Sequence, residues 1–500
     1  MAKFYLTTAI DYANGDPHIG HAYEKIGADV VARHHRLNGD DVWFLIGMDE
    51  HGQKVAQAAA ARGVSPQQQV DDIAARFEAM WKKLGISNDQ FIRTTSPAHI
   101  AGVQTLIERI FEKSPNDFFE KSYSGHYCVG CESFKTDAEI ENGHCVLHPT
   151  RTLEWVSETN WFFRLSAYRD KLLAHHEKHP EFCQPEHRRN EILALLRGGL
   201  EDISASRSRV EWGVPFPRPT SAGDQQSMYV WFDALPNYLT GTGFPNAGYE
   251  QRWPAQLHVI GKDITRFHCV IWPAMLMAAQ LPLPERVWAH GFVNFAGEKL
   301  SKSAGVKLDV NEAIGKFGPE AFRYFLMREV PFDADGNFSY ERFAERYNAD
   351  LANGLGNLAS RVLAMVEKYC GGVVPKLDEP EPEPDDDSMD RLLLHARLDF
   401  IFGRVSQANA MIAEFEPWKV AKDSARRDDL EYFLASMIRI LAYVARDLNP
   451  FMPETAAKLW SQLGGPGNVD APAKGAPELD VSGWRVKKGD ALFPKTEVAA

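Results

Sequence analysis

The sequence predicts an α/β fold: a doubly wound parallel sheet, broken by an inserted region and followed by an all-α helical bundle. Three observations lead there. Short apolar runs alternate with helix-period segments from residue 4 to about 116, and strand-like runs return at 228–232 and 257–260. Between them lies a stretch of different character that holds Cys128, Cys131, Cys145 and His148. Beyond Pro331 the apolar residues recur at helical spacing. The expected units are 1–117 for the first half of the sheet, 118–224 for the insertion, 225–330 for the second half and 331–500 for the helical region.

The first apolar run, 4–10, reads as a buried parallel strand. It leads into a turn in which Asn14, Gly15 and Pro17 let the backbone bend sharply before His18-Ile19-Gly20-His21. A helical pattern follows over about 21–37. Ligands of a doubly wound sheet sit at the carboxyl ends of strands. A helix N-terminus adds N–H groups and positive potential. Two imidazoles in such a turn, His18 and His21, suggest a phosphate site made from histidine, since no G-x-x-x-x-G-K-S/T run is present. The plainer alternative is two ordinary histidines at a helix start.

A second buried strand is expected at 42–47, with Asp49 just past it. A carboxylate there can hold an amine or a ribose, or simply cap the next helix. Ser65-Pro66 starts a helix that runs through Val70, Ile73, Phe77, Met80 and Leu84. A short strand at 91–93 and a helix after Pro97 complete this half.

In the insertion, C-x-x-C followed by C-x-x-H delivers four ligands as two short knuckles, which suits tetrahedral zinc. With all four positions filled by protein, the metal would be a structural clip. Cys183, Cys269 and Cys370 are isolated in sequence and are expected to be buried apolar residues. When the sheet resumes, Trp231, Tyr238, Phe267 and Trp272 could wall an apolar pocket or belong to the core. Lys299-Leu300-Ser301-Lys302-Ser303, flanked by Gly291, Gly297 and Gly305, reads as a mobile loop able to clamp a polyphosphate, though such runs occur on many surfaces. The acidic, proline-rich run 378–387 should be an exposed loop between helices near 340–369, 390–415 and 427–448.

A chain of 500 residues with ordinary apolar and charged fractions is a soluble multidomain protein by composition. No export signal and no run of membrane-spanning length is evident, so the cytoplasm is expected. The net charge of −13 argues against non-specific nucleic-acid binding but not against a local basic face.

Taken together, the H-I-G-H turn and K-L-S-K-S loop resemble the paired signatures of class I aminoacyl-tRNA synthetases, and within them the methionyl family. The resemblance runs from Ala9 to the helical bundle and includes the single C-x-x-C…C-x-x-H knuckle, V-W-F-D-A-L-P-N-Y and G-K-D-I-T-R-F-H-C-V-I-W-P-A. Leu300 departs from the family's usual Met, a volume-conserving swap. The resemblance implies a Rossmann-like catalytic domain and a helical anticodon-binding domain. It implies activation of L-methionine by ATP with Mg²⁺, then transfer to the 3′ ribose of the methionine tRNA. His18, His21, Lys299 and Lys302 would be catalytic, with Gly261 and Asp263 also at the ATP. Ile10, Tyr12, Asp49, Trp231, Ala234, Leu235, Tyr238, Phe267, His268 and Trp272 would hold methionine. Asn357, Arg361 and Trp418 would read the anticodon, one Zn²⁺ would sit on Cys128, Cys131, Cys145 and His148, and the chain would be a monomer. Another class I synthetase is the first rival, but the stretch between the two signatures leaves little room for a large editing domain. A non-catalytic tRNA-binding paralogue would be expected to lose His18, His21 or Lys302. A nucleotidyltransferase sharing only the histidine turn would not explain the helical third.

Overall fold

The computed structural model describes residues 1–131, 133–295, 298–299, 310–377, 386–471 and 479–494. At its centre is a parallel sheet. Its order from one edge is Cys183–Gln184, Val287–His290, Leu257–Gly261, Lys3–Thr8 and Asp41–Asp49; the last pairs with both Asp11–Tyr12 and Gln90–Arg93. Every pairing in it is parallel. Successive strands after Lys3–Thr8 go to one side, and Leu257–Gly261 and Val287–His290 go to the other. The order therefore reverses between Lys3–Thr8 and Leu257–Gly261, where such sheets open a ligand crevice.

Both faces are buried, which is why the strands read as near-continuous apolar runs. Phe4, Leu6, Phe44, Ile46, Leu257 and Val259 face one core, while Tyr5, Leu45 and Ile260 face the other. The first core continues without a break through Phe322 and Phe325 into Leu434 and Leu441 of the helical region. Arg323, 1% exposed, reinforces this junction. It pairs with Asp29 at 2.7 Å and donates to the carbonyls of Phe451 and Pro450 at 2.8 and 3.0 Å.

Two sequence expectations shift. The segment 228–232 is not a strand: only Ser227–Met228 pairs, and Val230–Ala234 is a short helix. Aromatic and β-branched residues misled the reading there, because they pack equally well on a buried helical turn. Cys183–Gln184, inside the insertion, pairs with Val287–Trp288 and extends the central sheet. A two-residue strand is too short to leave a periodic signal.

The rest of the insertion is an antiparallel ribbon, Phe118–Cys128 against Glu154–Phe163, with the cysteine knuckles at its tip. Cys183 and Cys269 are fully buried, and Cys370 is half-buried. The helical region contains Asn357–Cys370, Leu394–Phe415, Arg427–Leu448 and Pro453–Leu463. No helix among the described residues is long and apolar enough to cross a membrane. The acidic run is described only at 386–387.

Candidate active site

The helix after the first strand spans Ile19–Leu37, and His18 is its N-cap. His18 Nδ1 accepts from the Gly20 N–H at 3.1 Å, and His21 Nδ1 accepts from the His18 N–H at 3.2 Å. This is a capping box built from two imidazoles instead of the usual hydroxyl and carboxamide. The rings stack at 3.6 Å. A Cβ at residue 20 would lie 3.1 Å from the His18 ring, so glycine keeps the stack relaxed. Because both Nδ1 atoms accept, a neutral ring at either position carries its proton on Nε2.

The segments on either side of this turn are tied into the sheet and the core. Asp11–Tyr12 pairs with Met48–Asp49, putting Tyr12 directly in register with Asp49. Ile10 packs beside Gly47. Lys25, wholly buried in the same helix, bonds Asp11 and Glu24 at 2.9 and 2.8 Å and the Ala9 carbonyl at 2.9 Å. Burial pushes the Asp11 carboxyl up to about 7 against the pull of Lys25. Burial works on Glu24 in the same direction, but Lys25 and then His290, 3.2 Å away, hold it below the usual range. His290 ends the Val287–His290 strand, so this buried cluster ties the histidine helix to the strand that leads toward the lysine loop.

The aromatic residues pack with the core on the opposite face of the sheet from the histidine helix, where the Tyr5 hydroxyl donates to the Tyr238 carbonyl at 2.7 Å. Trp231 and Phe267 stack at 3.8 Å, both half-buried. Behind them the Tyr238 hydroxyl lies 2.7 Å from His268 Nε2. His268 Nδ1 faces the Ile264 carbonyl at 3.0 Å, so Nδ1 is the donor and Nε2 accepts from the tyrosine. Burial depresses the His268 pKa to about 4, so the ring is neutral. Trp272 is fully buried beside Tyr238, and Ala234 and Leu235 are buried on the preceding turn. His268 lies in a π-helical turn, Phe267–Ile271, a distortion frequent at functional sites.

Gly261 ends the Leu257–Gly261 strand, with exposed Asp263 just beyond. Lys262 is held by Asp335 at 2.6 Å. The backbone of Lys299 lies in a hairpin, opposite Asn294, past the Val287–His290 strand. Leu300 and Lys302 lie outside the described residues. Asn357 and Arg361 stand one turn apart on the Asn357–Cys370 helix, and Trp418, 43% exposed, is on the short Pro417–Val420 helix. These three belong to the helical region.

The ligand atoms of Cys128, Cys131, Cys145 and His148 all lie within 4.8 Å of one another. Cys131 Sγ is 3.5 Å from Cys145 Sγ and 3.3 Å from His148 Nδ1. A tetrahedral zinc site has S···S edges of about 3.8 Å, so the spacing fits. A Cβ on Gly130 would fall 2.6 Å from the His148 ring, so the first knuckle requires glycine. Burial pushes the Cys131 thiol up to about 12, so a cation is needed to stabilise its thiolate. Burial and then the Lys54 cation depress the His148 pKa, and Lys54 Nζ sits 5.7 Å from the Tyr12 ring.

Sequence reasoning missed the buried polar frame: Lys25 with Glu24 and His290, and Asp233 with His51 and His99. Their signal was charged or imidazole residues inside otherwise apolar segments, which a period count discards as noise. A cleft of about 720 Å³ opens at the amino ends of the strands, lined by Phe4, His175, Gln256 and Arg286, and holds none of the predicted site residues.

Comparison with known proteins adds a family. A family model described as tRNA synthetases class I (M) matches residues 4–151 and 138–363. The chain is 41% identical over 531 residues to the methionine–tRNA ligase of Streptomyces coelicolor, covering 99% of this chain and 97% of that one. It is 44% identical over 484 residues to that of Brucella melitensis, covering 93% and 92%. Among solved structures, Mycobacterium tuberculosis methionyl-tRNA synthetase in complex with methionyl-adenylate matches with a TM-score of 0.90 at 40% identity, covering 99% of this chain and all of that one.

Proposed function

The chain belongs to the tRNA synthetases class I (M) family, and from that membership we infer its reaction and the part each side chain plays. It is a methionine–tRNA ligase. The methionine carboxylate attacks the α-phosphorus of ATP, forming methionyl-adenylate and releasing pyrophosphate. A hydroxyl of the 3′-terminal ribose of the methionine tRNA then attacks the adenylate carbonyl, taking the methionyl group and releasing AMP. Neither step needs a protein nucleophile, so catalysis is positioning and charge stabilisation.

The observation that carries the residue assignment is the imidazole capping box. With Nδ1 occupied on each ring, His18 and His21 turn donor Nε2–H groups toward the phosphates, beside a helix N-terminus that favours negative charge. Lys302, aided by Lys299, closes on the leaving pyrophosphate. Asp263 holds the ribose, and Gly261 lets the nucleotide approach the strand end. Asp49 holds the methionine ammonium; its register with Tyr12 supports this by placing a carboxylate beside the pocket floor. Ile10, Tyr12, Trp231, Ala234, Leu235, Tyr238, Phe267, His268 and Trp272 enclose the side chain. A thioether accepts hydrogen bonds weakly, so shape and sulfur–aromatic contact do most of the selection.

Mg²⁺ bound with ATP would neutralise phosphate charge. Cys128, Cys131, Cys145 and His148 would hold Zn²⁺, which would clip the ribbon tip together. Asn357, Arg361 and Trp418 meet the anticodon, where an indole can stack on a splayed base. We assign the protein to the cytoplasm as a monomer. The test is ATP–pyrophosphate exchange with each of the twenty amino acids: methionine alone should support rapid exchange, and faster exchange with another amino acid would overturn the assignment.

A further inference from the structure

Asp233 stands between the methionine-pocket residues Trp231 and Ala234 yet points away from the crevice. On a helical turn successive residues are about 100° apart, so Trp231, Ala234 and Leu235 share one face and Asp233 takes the opposite one. Its side chain is 1% exposed. Oδ2 lies 2.6 Å from His51 Nδ1, and Oδ1 lies 2.9 Å from His99 Nε2. Both imidazoles are buried.

The two histidines come from separate segments. His51 is two residues past Asp49, in a loop held on several sides. Glu50 N–H donates to Thr94 Oγ1 at 2.9 Å, the Glu50 carbonyl accepts from Trp212 Nε1 at 2.6 Å, and Gly52 N–H donates to the Trp212 carbonyl at 2.9 Å. His99 lies in the first turn of Pro97–Lys113, and its Nδ1 contacts Thr240 Oγ1 at 2.8 Å. Thr240 closes the short helix that carries Tyr238. One carboxylate thus joins the loop after Asp49 to the back of the aromatic wall, and a second bond from His99 locks the Tyr238 helix to the same point.

We propose that Asp233, gripped by His51 and His99, is a positioning residue that fixes the width of the methionine pocket by holding the Trp231–Leu235 turn in register with the Asp49 loop. The proposal rests on the methionine assignment of that pocket. Burial alone would raise the Asp233 pKa, but His51 and then His99 hold it below the usual carboxylate range, so the carboxylate keeps its charge inside the bridge. A buried carboxylate with two ring donors is a stiff joint, because losing either donor leaves a charge unsatisfied. Phe232 of the same turn packs against Phe118 and Phe163, an apolar contact that tolerates sliding, so the carboxylate bridge is what gives the turn its direction.

The test separates methionine binding from ATP binding in pyrophosphate exchange. Asp233→Ala leaves two imidazoles facing a void and frees the turn; KM for methionine should rise about tenfold or more, since small misplacements at a reacting centre are costly. KM for ATP should stay within about twofold, because the phosphate side hangs on His18 and His21. Asp233→Asn keeps the shape, and either histidine can switch tautomer to meet the amide; KM for methionine should recover to within about threefold of wild type. If Asp233→Ala does not fold, His99→Gln is measured in its place, with the same split between the two KM values expected. A parallel rise in both KM values, no change in either, or no recovery in Asp233→Asn would overturn the proposal. Failure of the wild-type enzyme to exchange with methionine would instead sink the underlying assignment, which keeps the two failures distinct.

Discussion

Replacing Tyr238 by Phe removes one hydroxyl and nothing else, and the structure fixes what that hydroxyl does. It donates to His268 Nε2 inside a cluster in which Tyr238 is 2% and His268 1% exposed. Its loss leaves a buried acceptor unsatisfied, at a cost of about 1–3 kcal/mol at pH 8. The pH dependence is the sharper part. The His268 pKa is about 4 in the folded protein against 6.5 for the free side chain, with burial as the main cause. Between those values the unfolded chain binds more protons than the folded one. Stability from this residue is therefore complete above pH 6.5 and declines as pH falls toward 4, by about 2 kcal/mol at pH 5. The Tyr238 bond favours the neutral ring, so removing it raises the His268 pKa. A rise of about one unit would shrink the variant's deficit by about 0.4 kcal/mol at pH 5 and about 1 kcal/mol at pH 4. Urea midpoints of both proteins at pH 8 and pH 5 measure this. A deficit equal or larger at pH 5 would show that the hydroxyl does not hold the ring in its neutral tautomer.

Lys302→Ala should depress pyrophosphate exchange steeply; near-normal exchange would remove Lys302 from the mechanism. Trp418→Ala should weaken tRNA charging by about 1–3 kcal/mol of lost stacking while leaving tRNA-independent exchange intact, and equal loss in both assays would refute its place at the anticodon. Cys145→Ser should abolish stoichiometric zinc, measured by atomic emission on the purified protein; retention of one zinc per chain would break the four-ligand assignment. Homocysteine carries a thiol where the substrate carries an S-methyl group, a difference of one CH₂ unit worth about 1–3 kcal/mol, so its rejection at activation should fall below about 10⁵; a higher ratio would point to a recognition element beyond the pocket.

Local patterns in the chain carried the fold class. Phe4–Leu6 and Val42–Ile46 are strands buried on both faces, and such strands announce themselves as unbroken apolar runs. The Ser65-Pro66 start is local chemistry too, and Ser65 does cap the helix, accepting from Gln68 N–H at 3.1 Å. The knuckle was legible for the same reason, since ligand spacing is a property of a few adjacent residues. What was not legible depends on distant partners. Cys183–Gln184 is a strand only because Val287–Trp288 lies beside it. The helix at Val230–Ala234 looks like a strand until Asp233 is seen bonded to His51 and His99 across the fold.

The convergence at the crevice is therefore less a property of the motifs than of the buried polar joints between them. His18 and His21 need only the first strand and its helix, but their relation to the rest of the site depends on Lys25, which fastens that helix to Asp11 and the Ala9 carbonyl beneath Tyr12. Glu24 carries the link on to His290, at the start of the path toward Lys299. On the other flank Asp233 ties the aromatic wall to the loop after Asp49. Each joint costs desolvation that an apolar pair would avoid, and ion pairs of this kind are weak evidence for stability. What an ionic joint supplies is direction. An apolar contact tolerates sliding, whereas a carboxylate held by two fixed donors does not. In a site that works by placing a carboxylate against a phosphorus atom, that directional rigidity is the property most closely coupled to rate.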